Sequence, residues 1–366
     1  RPRGARRRGH RSVCCPVLHP ARKPEVVLKK TSVFETDCIA LLVSALTRSP
    51  DQLHGAHESD AELIRLPGNG QVLAVTTDTL VEEIETGLYA DPEQIGWMTV
   101  MANLSDLAAV GADPLGILLN VTLAADEAAD FLPGFRRGVD AACHVAETSV
   151  LGGDMNFSDN PQCGGTAIGL IPDGMALTRM GAAPGDVVFG SGPLGSGSAF
   201  AMQRLVLQEE GAFRPVARLK EGRLVRRFAS CAMDTSDGLL ATLDQLTGLN
   251  GVGFDLDLDS HRLLDPVANS LAQEQGIPPW VMLAGPHGEF ELVFTVPSDR
   301  ICAFLEAAYR IDWRPVRLGE VFQGDGVHFL EEGDRRPVDT AAIRSLGAEA
   351  ASDVDAYLAE LVRIGS

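Results

Sequence analysis

The chain has 366 residues, enough for two domains that each bury a core. Its 45% apolar and 22% charged content is that of an ordinary globular protein, and no run of 18 uninterrupted apolar residues offers a membrane span. The net charge of -19 hides an asymmetry. Residues 1–30 carry ten Lys/Arg against Glu25 alone, so the other 336 residues hold 21 basic and 49 acidic groups, a body that repels nucleic acid and anionic lipid.

The basic opening lacks the apolar stretch of a secretory signal, and residues 1–31 are expected to be a disordered tail outside the fold. After it, 32–47 reads as a helix, and ELIRLPGNGQVLAVTTD as a hairpin turning at Pro-Gly-Asn-Gly. A helix over 92–111 follows, whose Ala102, Ser105, Ala108 and Ala109 allow close packing on a sheet; Gly111 caps it and Pro114 bars its continuation. GILLNVTLA, TSVLGGD and TAIGLIP read as strands, with a helix over 126–147 between the first two. The Gly/Ala/Pro-rich stretch 173–185 sets a domain boundary, giving an N-terminal domain over 32–174 and a C-terminal one over 175–366. The second half alternates strands DVVFGSG, CAMDTS, GVGFDLDL, ELVFTV and VRLGEVF with helices, among them ones at SAFAMQRLVL, near 222–230 and at DGLLATLDQL. Interleaved helices and strands with hairpins among them predict a mixed-sheet α+β protein.

Two patterns carry less than they first suggest. Gly190-Ser191-Gly192-Pro193-Leu194-Gly195 matches the dinucleotide fingerprint, but no compact βαβ unit surrounds it, so a tight strand-to-helix turn is expected. His54 and His57 read as surface-loop residues, and His287, in a Gly/Pro turn, as a solvated or backbone-bonded imidazole. Seven cysteines without CxxC spacing argue against a zinc ribbon and fit a reducing cytoplasm.

The chemistry lies in five aspartates, each in a small polar turn or at a helix: Asp78, Asp106, Asp154, Asp234 and Asp237. One such residue is commonly a cap or turn former, and Asp234 can bond its own turn. Five together supply the hard oxygen ligands that suit Mg²⁺ beside a phosphorylated substrate. Asn103 and Asp106 share a helix face, Gly152 and Gly153 clear the backbone before Asp154, and Ser236 and Asp237 open a helix whose free N–H groups favour an anion.

DAELI, VTTDTLVE, NLSDLAAVGA, LGGD, DTSDGLL and FELVFT, in this order over about Asp60 to Val321, resemble the thiamine-monophosphate kinase family. That family belongs to the superfamily of aminoimidazole ribonucleotide synthase, selenophosphate synthase and the hydrogenase-maturation ATPase. The resemblance implies a two-domain aminoimidazole ribonucleotide synthase-like fold whose N-terminal domain forms a barrel across a homodimer. It implies ATP as co-substrate, a small phosphorylated acceptor, and Mg²⁺ held by Asp60, Asp78, Asp106, Asp154 and Asp237. Asp106 and Asp237 then serve catalysis, and Asn103, Gly152, Gly153 and Ser236 the nucleotide. The family's GDDA reads Glu58-Ser59-Asp60-Ala61 here, its GGDTTR reads Gly152-Gly153-Asp154-Met155-Asn156-Phe157, and its GGEDYEL reads Pro286-His287-Gly288-Glu289-Phe290-Glu291-Leu292. The metal positions are kept better than the substrate-side ones. A relative with another acceptor, kinase or cyclo-ligase, and a non-catalytic nucleotide-binding homologue stand as alternatives.

Overall fold

The computed structural model describes residues 35–44, 46–258, 262–285, 287–349 and 360–364; the basic opening lies outside them. Glu35–Ser44 forms α1 and belongs to a unit of its own, Arg1–Thr47. The elements after α1 belong to the second unit, Arg48–Ser366.

The first sheet is built from the hairpin β1 (Glu62–Leu66) and β2 (Gln71–Leu80), then, after the single turn α2 (Glu82–Glu85) and the helix α3 (Pro92–Ala109), from β3 (Asp113–Leu123). Helix α4 (Ala128–Val145) leads to β4 (Val150–Phe157) and β5 (Gln162–Pro172). The strands lie in the order β1-β2-β5-β3-β4. Only β3 and β4 pair in parallel, across α4, and β4 is left as an open edge with all eight residues exposed.

Helix α3 organises this half. Asp91 caps it, accepting from the Glu93 and Gln94 amides at 3.3 Å, Pro92 occupies the first turn, and Gly111 at φ +73° ends it. Fourteen of its 18 residues are buried, the signature of a helix enclosed on all sides. Met98, Met101, Leu104 and Leu107 are inaccessible to solvent, each contributing ~1.5–3 kcal/mol on burial. Against α4 the two backbones nearly touch: a Cβ on Gly96 would lie 2.1 Å from the Phe135 carbonyl oxygen, and one on Gly138 would lie 1.9 Å from that of Glu93.

The second sheet uses β6 (Val187–Gly190), β7 (Cys231–Asp234), β8 (Gly253–Asp257), β9 (Leu292–Val296), β10 (Val316–Phe322), β11 (Val327–Glu331) and β12 (Asp334–Val338), in the order β12-β11-β8-β10-β6-β9-β7. Its helices are α5 (Ser196–Ala201), which runs on as a π-turn over Met202–Val206, α6 (Leu219–Val225), α7 (Leu239–Asn250), α8 (Pro266–Gln275), α9 (Ile301–Arg310) and α10 (Thr340–Glu349). Strand β7, at the sheet's far edge, is buried throughout because α3 lies against it. Helix α6 meets α3 where a Cβ on Gly222 would be 2.1 Å from the Ala108 carbonyl oxygen. Among the described residues no helix is long and apolar enough to cross a membrane.

Candidate active site

Where the C-terminal third of α3 meets the end of β7, three carboxylates converge. Asp60, Asp106 and Asp234 each place one oxygen so that all lie within 4.8 Å of one another. Asp60 arrives from the segment before β1, Asp106 from α3 and Asp234 from the last position of β7. Each is held by its neighbours. Thr76 Oγ, on the face of β2 that packs inward, donates to Asp106 at 2.5 Å, and Ser105 Oγ donates to Asp234 at 2.7 Å. Ser236 donates to the other Asp234 oxygen through its hydroxyl, 3.1 Å, and its amide, 3.4 Å. Asp60 Oδ1 accepts from Arg179 Nη2 at 2.9 Å and Nε at 3.3 Å.

The charges here are crowded. Burial, then the neighbouring Asp234 and Asp60 carboxylates, push Asp106 well above the usual carboxylate range, against the Thr76 hydrogen bond. Burial and the Asp60 charge raise Asp234, opposed by Ser105 and Arg179. For Arg179, burial works against the charged form, but Asp60 outweighs it and leaves the guanidinium more firmly protonated than usual. One cation facing three carboxylates leaves the cluster short of positive charge.

A divalent cation fits this deficit. Asp60 Oδ2 is buried with no hydrogen-bond partner in the protein, and the Asp60 side chain is only 1% exposed. A buried carboxylate oxygen without a donor is costly, and three hard oxygens around it are the donor set Mg²⁺ takes. The adjacent Ser59 Oγ is likewise buried without a partner.

The other expected residues fall around this cluster unequally. Asp78 extends the Thr76 face of β2 and acts on Asp106 through its charge, while its amide donates to Asn103 Oδ1 at 3.0 Å. Asn103, fully buried, spends its amide hydrogens on the Asp78 and Thr99 carbonyls. It fixes the Asp78 peptide. Asp237 is exposed in the turn before α7 and acts on Asp234 through its charge, and Ser236 is turned toward Asp234. Asp154 is not brought to the cluster. It pairs with Asn120, whereas Asp78 pairs with Gly165 and hence falls in the row of Leu119 and Gly153. Successive residues of a strand face opposite sides, so Asp154 lies on the face turned away from α3. Gly153 serves the strand pairing, since a Cβ there would lie 2.3 Å from the Leu119 carbonyl oxygen, while one on Gly152 would meet only the Leu118 side chain, at 3.6 Å.

The five-aspartate pattern includes Asp234, but the resemblance implies a metal role for Asp237 and none for Asp234. The available signal was an aspartate ending the otherwise apolar run Cys231-Ala232-Met233. His287 is a correction too: it is buried, and its Nε2 lies 3.0 Å from Tyr89 Oη. Phe200, Phe213 and Phe290 surround the ring, and burial lowers its pKa to about 4, so it is neutral. His54 is likewise no loose surface residue, as Nε2 accepts the Leu63 amide at 3.1 Å. The glycine-rich loop at 190–195 is the tight turn expected. Its helix-opening amide, Gly195 N–H, donates at 2.7 Å to the buried Glu289, and Ser191 and Arg218 both bond Glu291. The anion at that turn is the protein's own.

A family model described as AIR synthase related protein, N-terminal domain, matches residues 58–171. Thiamine-monophosphate kinase from Salmonella typhimurium is 34% identical over 287 residues, covering 75% of this chain and 86% of that protein. The chain belongs to the thiamine-monophosphate kinase family. Thiamine-monophosphate kinase from Archaeoglobus fulgidus is 32% identical over 297 residues, 78% of this chain and 89% of the relative. The crystal structure of thiamine-monophosphate kinase from Stenotrophomonas maltophilia superposes with a TM-score of 0.64 at 29% identity, covering 78% of this chain and 92% of that one. The expected aminoimidazole ribonucleotide synthase-like α+β architecture is the one observed.

Proposed function

We propose that this chain transfers the γ-phosphoryl group of ATP to thiamine monophosphate, giving thiamine diphosphate and ADP. The observation that carries the reading is the Asp60–Asp106–Asp234 cluster with its orphaned Asp60 oxygen, in a chain of this family. Those three carboxylates, with Asp78 and Asp237 close enough to act on them through charge, would hold Mg²⁺, which neutralises triphosphate charge and polarises the transferred group. An oxygen of the acceptor phosphate forms the new bond to Pγ as the bond from Pγ to the β,γ-bridging oxygen breaks, so no protein nucleophile is required. The protein's task is then positioning. Thr76 and Ser105 aim Asp106 and Asp234, Asn103 fixes the Asp78 peptide, and Arg179 anchors Asp60.

We also propose that the active form is a homodimer in a reducing cytoplasm. Strands β3 and β4 expose Leu115, Leu118, Val150, Leu151, Met155 and Phe157 beside the open β4 edge. Exposed apolar side chains on both faces of an unpaired edge call for a cover, and a second copy supplies it. Asp154 then works from the interface side. The described cysteines, all free, agree with the compartment.

The test is turnover of thiamine monophosphate with ATP and Mg²⁺, following thiamine diphosphate by chromatography. Mg²⁺-dependent product that vanishes in Asp106→Asn supports the assignment. Absence of product with Mg·ATP binding intact points to a different phosphoryl acceptor.

A further inference from the structure

A cavity of about 590 Å³ opens between the connector 174–180, the turn from α6 to β7 and the start of α9. Its charged lining is wholly basic, comprising Arg226, Arg227 and Arg300. In a chain of net charge -19 that sign is out of keeping with the surroundings. Arg226 is committed, donating from Nη1 to the Gly111 carbonyl at 2.5 Å and to Asp113 at 3.2 Å. Arg227 and Arg300 are exposed, and neither enters an ion pair among the described residues. Arg227 only faces the Phe228 ring, 5.6 Å from its centroid. Two guanidinium groups thus reach an open cavity with nothing of opposite charge against them. Asp186, buried beside the cavity-lining Ser230, is taken by that residue's hydroxyl at 2.5 Å.

We propose that this cavity binds a small diphosphate-bearing anion. Its volume falls in the range of small-molecule sites, about 300–1,000 Å³. A guanidinium fork matches phosphoryl oxygens two at a time, and two free forks match two phosphoryl groups. The site is separate from the carboxylate cluster. Thr178 and Met180 line the cavity, while Arg179 between them turns the other way to Asp60. An occupant would therefore rest on the reverse side of the segment that anchors Asp60.

The experiment is calorimetric titration of the full chain with inorganic diphosphate in EDTA and low salt, where the metal-free acidic cluster repels anions. Binding that weakens tenfold or more in Arg227→Ala/Arg300→Ala, and is unchanged in Asp106→Asn, supports the site. Binding equal to wild type in the double variant, or none by wild type at millimolar diphosphate, overturns it. Arg300→Ala alone serves as the variant should the double one fail to fold, with the same reading. An ADP titration distinguishes the sources: ADP sensitive to the same substitutions identifies an organic diphosphate, and binding of diphosphate alone identifies the free anion.

Discussion

Asp106→Asn should stabilise the metal-free protein while removing its response to Mg·nucleotide. Asp106, Asp60 and Asp234 bring oxygens within 4.8 Å of one another. Two unit charges at that separation repel by about 3.5 kcal/mol at an effective dielectric of 20. Arg179, partial protonation and residual solvent access reduce this, leaving a net relief of about 1–3 kcal/mol when one charge is deleted. Asparagine keeps an oxygen for the Thr76 hydroxyl, so no donor is orphaned. The pH dependence has a fixed sign. Because the folded-state pKa of Asp106 is raised, its cost is absent below the unfolded value near 4 and grows as pH rises through the folded one. Melting in EDTA at pH 8 should thus show the variant above wild type, by a few degrees, with the gap closing toward pH 5. Adding Mg²⁺ and a non-hydrolysable ATP analogue at 100 times its Kd should stabilise wild type by about 2.7 kcal/mol and the variant far less. A variant that melts lower in EDTA, or gains as much from nucleotide, would refute the reasoning.

Three further outcomes are expected. Gly138→Ala should cost about 1–3 kcal/mol or more in urea unfolding, because its methyl meets the Glu93 carbonyl oxygen at 1.9 Å; wild-type stability would mean that α3 and α4 separate freely. Burial raises the pKa of Glu289 to about 7, against its bonds from Thr235 and Gly195. A raised carboxyl stabilises below its unfolded pKa and loses that contribution as pH rises through the folded value, so wild type should lose up to ~3 kcal/mol relative to Glu289→Gln from pH 5 to pH 8. Phe157→Asp, at an edge-strand residue 63% exposed, should yield a folded monomer by light scattering and circular dichroism. A dimer unaffected by that charge would locate the interface elsewhere.

Much of the framework was legible because local chemistry and packing agree. The Asp91-Pro92 start and Gly111 stop delimit α3, and Pro-Gly-Asn-Gly closes the β1–β2 hairpin. Strands β11 and β12 went unread. Their alternation is masked by charge in HFLEEGDRRPV, and Pro337 suits an edge strand such as β12. Within DTSD the sequence offers two aspartates, and only the arrival of α3, with Ser105, decides that Asp234 is the buried one. The side on which Asp154 falls depends on strand register, which no local signal sets. His287 is neutral because it is buried, and its ring partner, Tyr89, lies 198 residues earlier in the chain.

The near-complete enclosure of α3 also governs how this molecule can be divided. Its flanks are covered by β2, β5, α4, α6 and β7, so a fragment ending in the 173–185 connector would bare the flank that meets α6 and β7. Such a fragment should aggregate, and neither half should rescue the other by simple mixing. Grafting the first sheet onto a foreign second one would fail for the same reason. Change of acceptor within such a molecule therefore has to come through loops, while the helix that unites both sheets stays fixed.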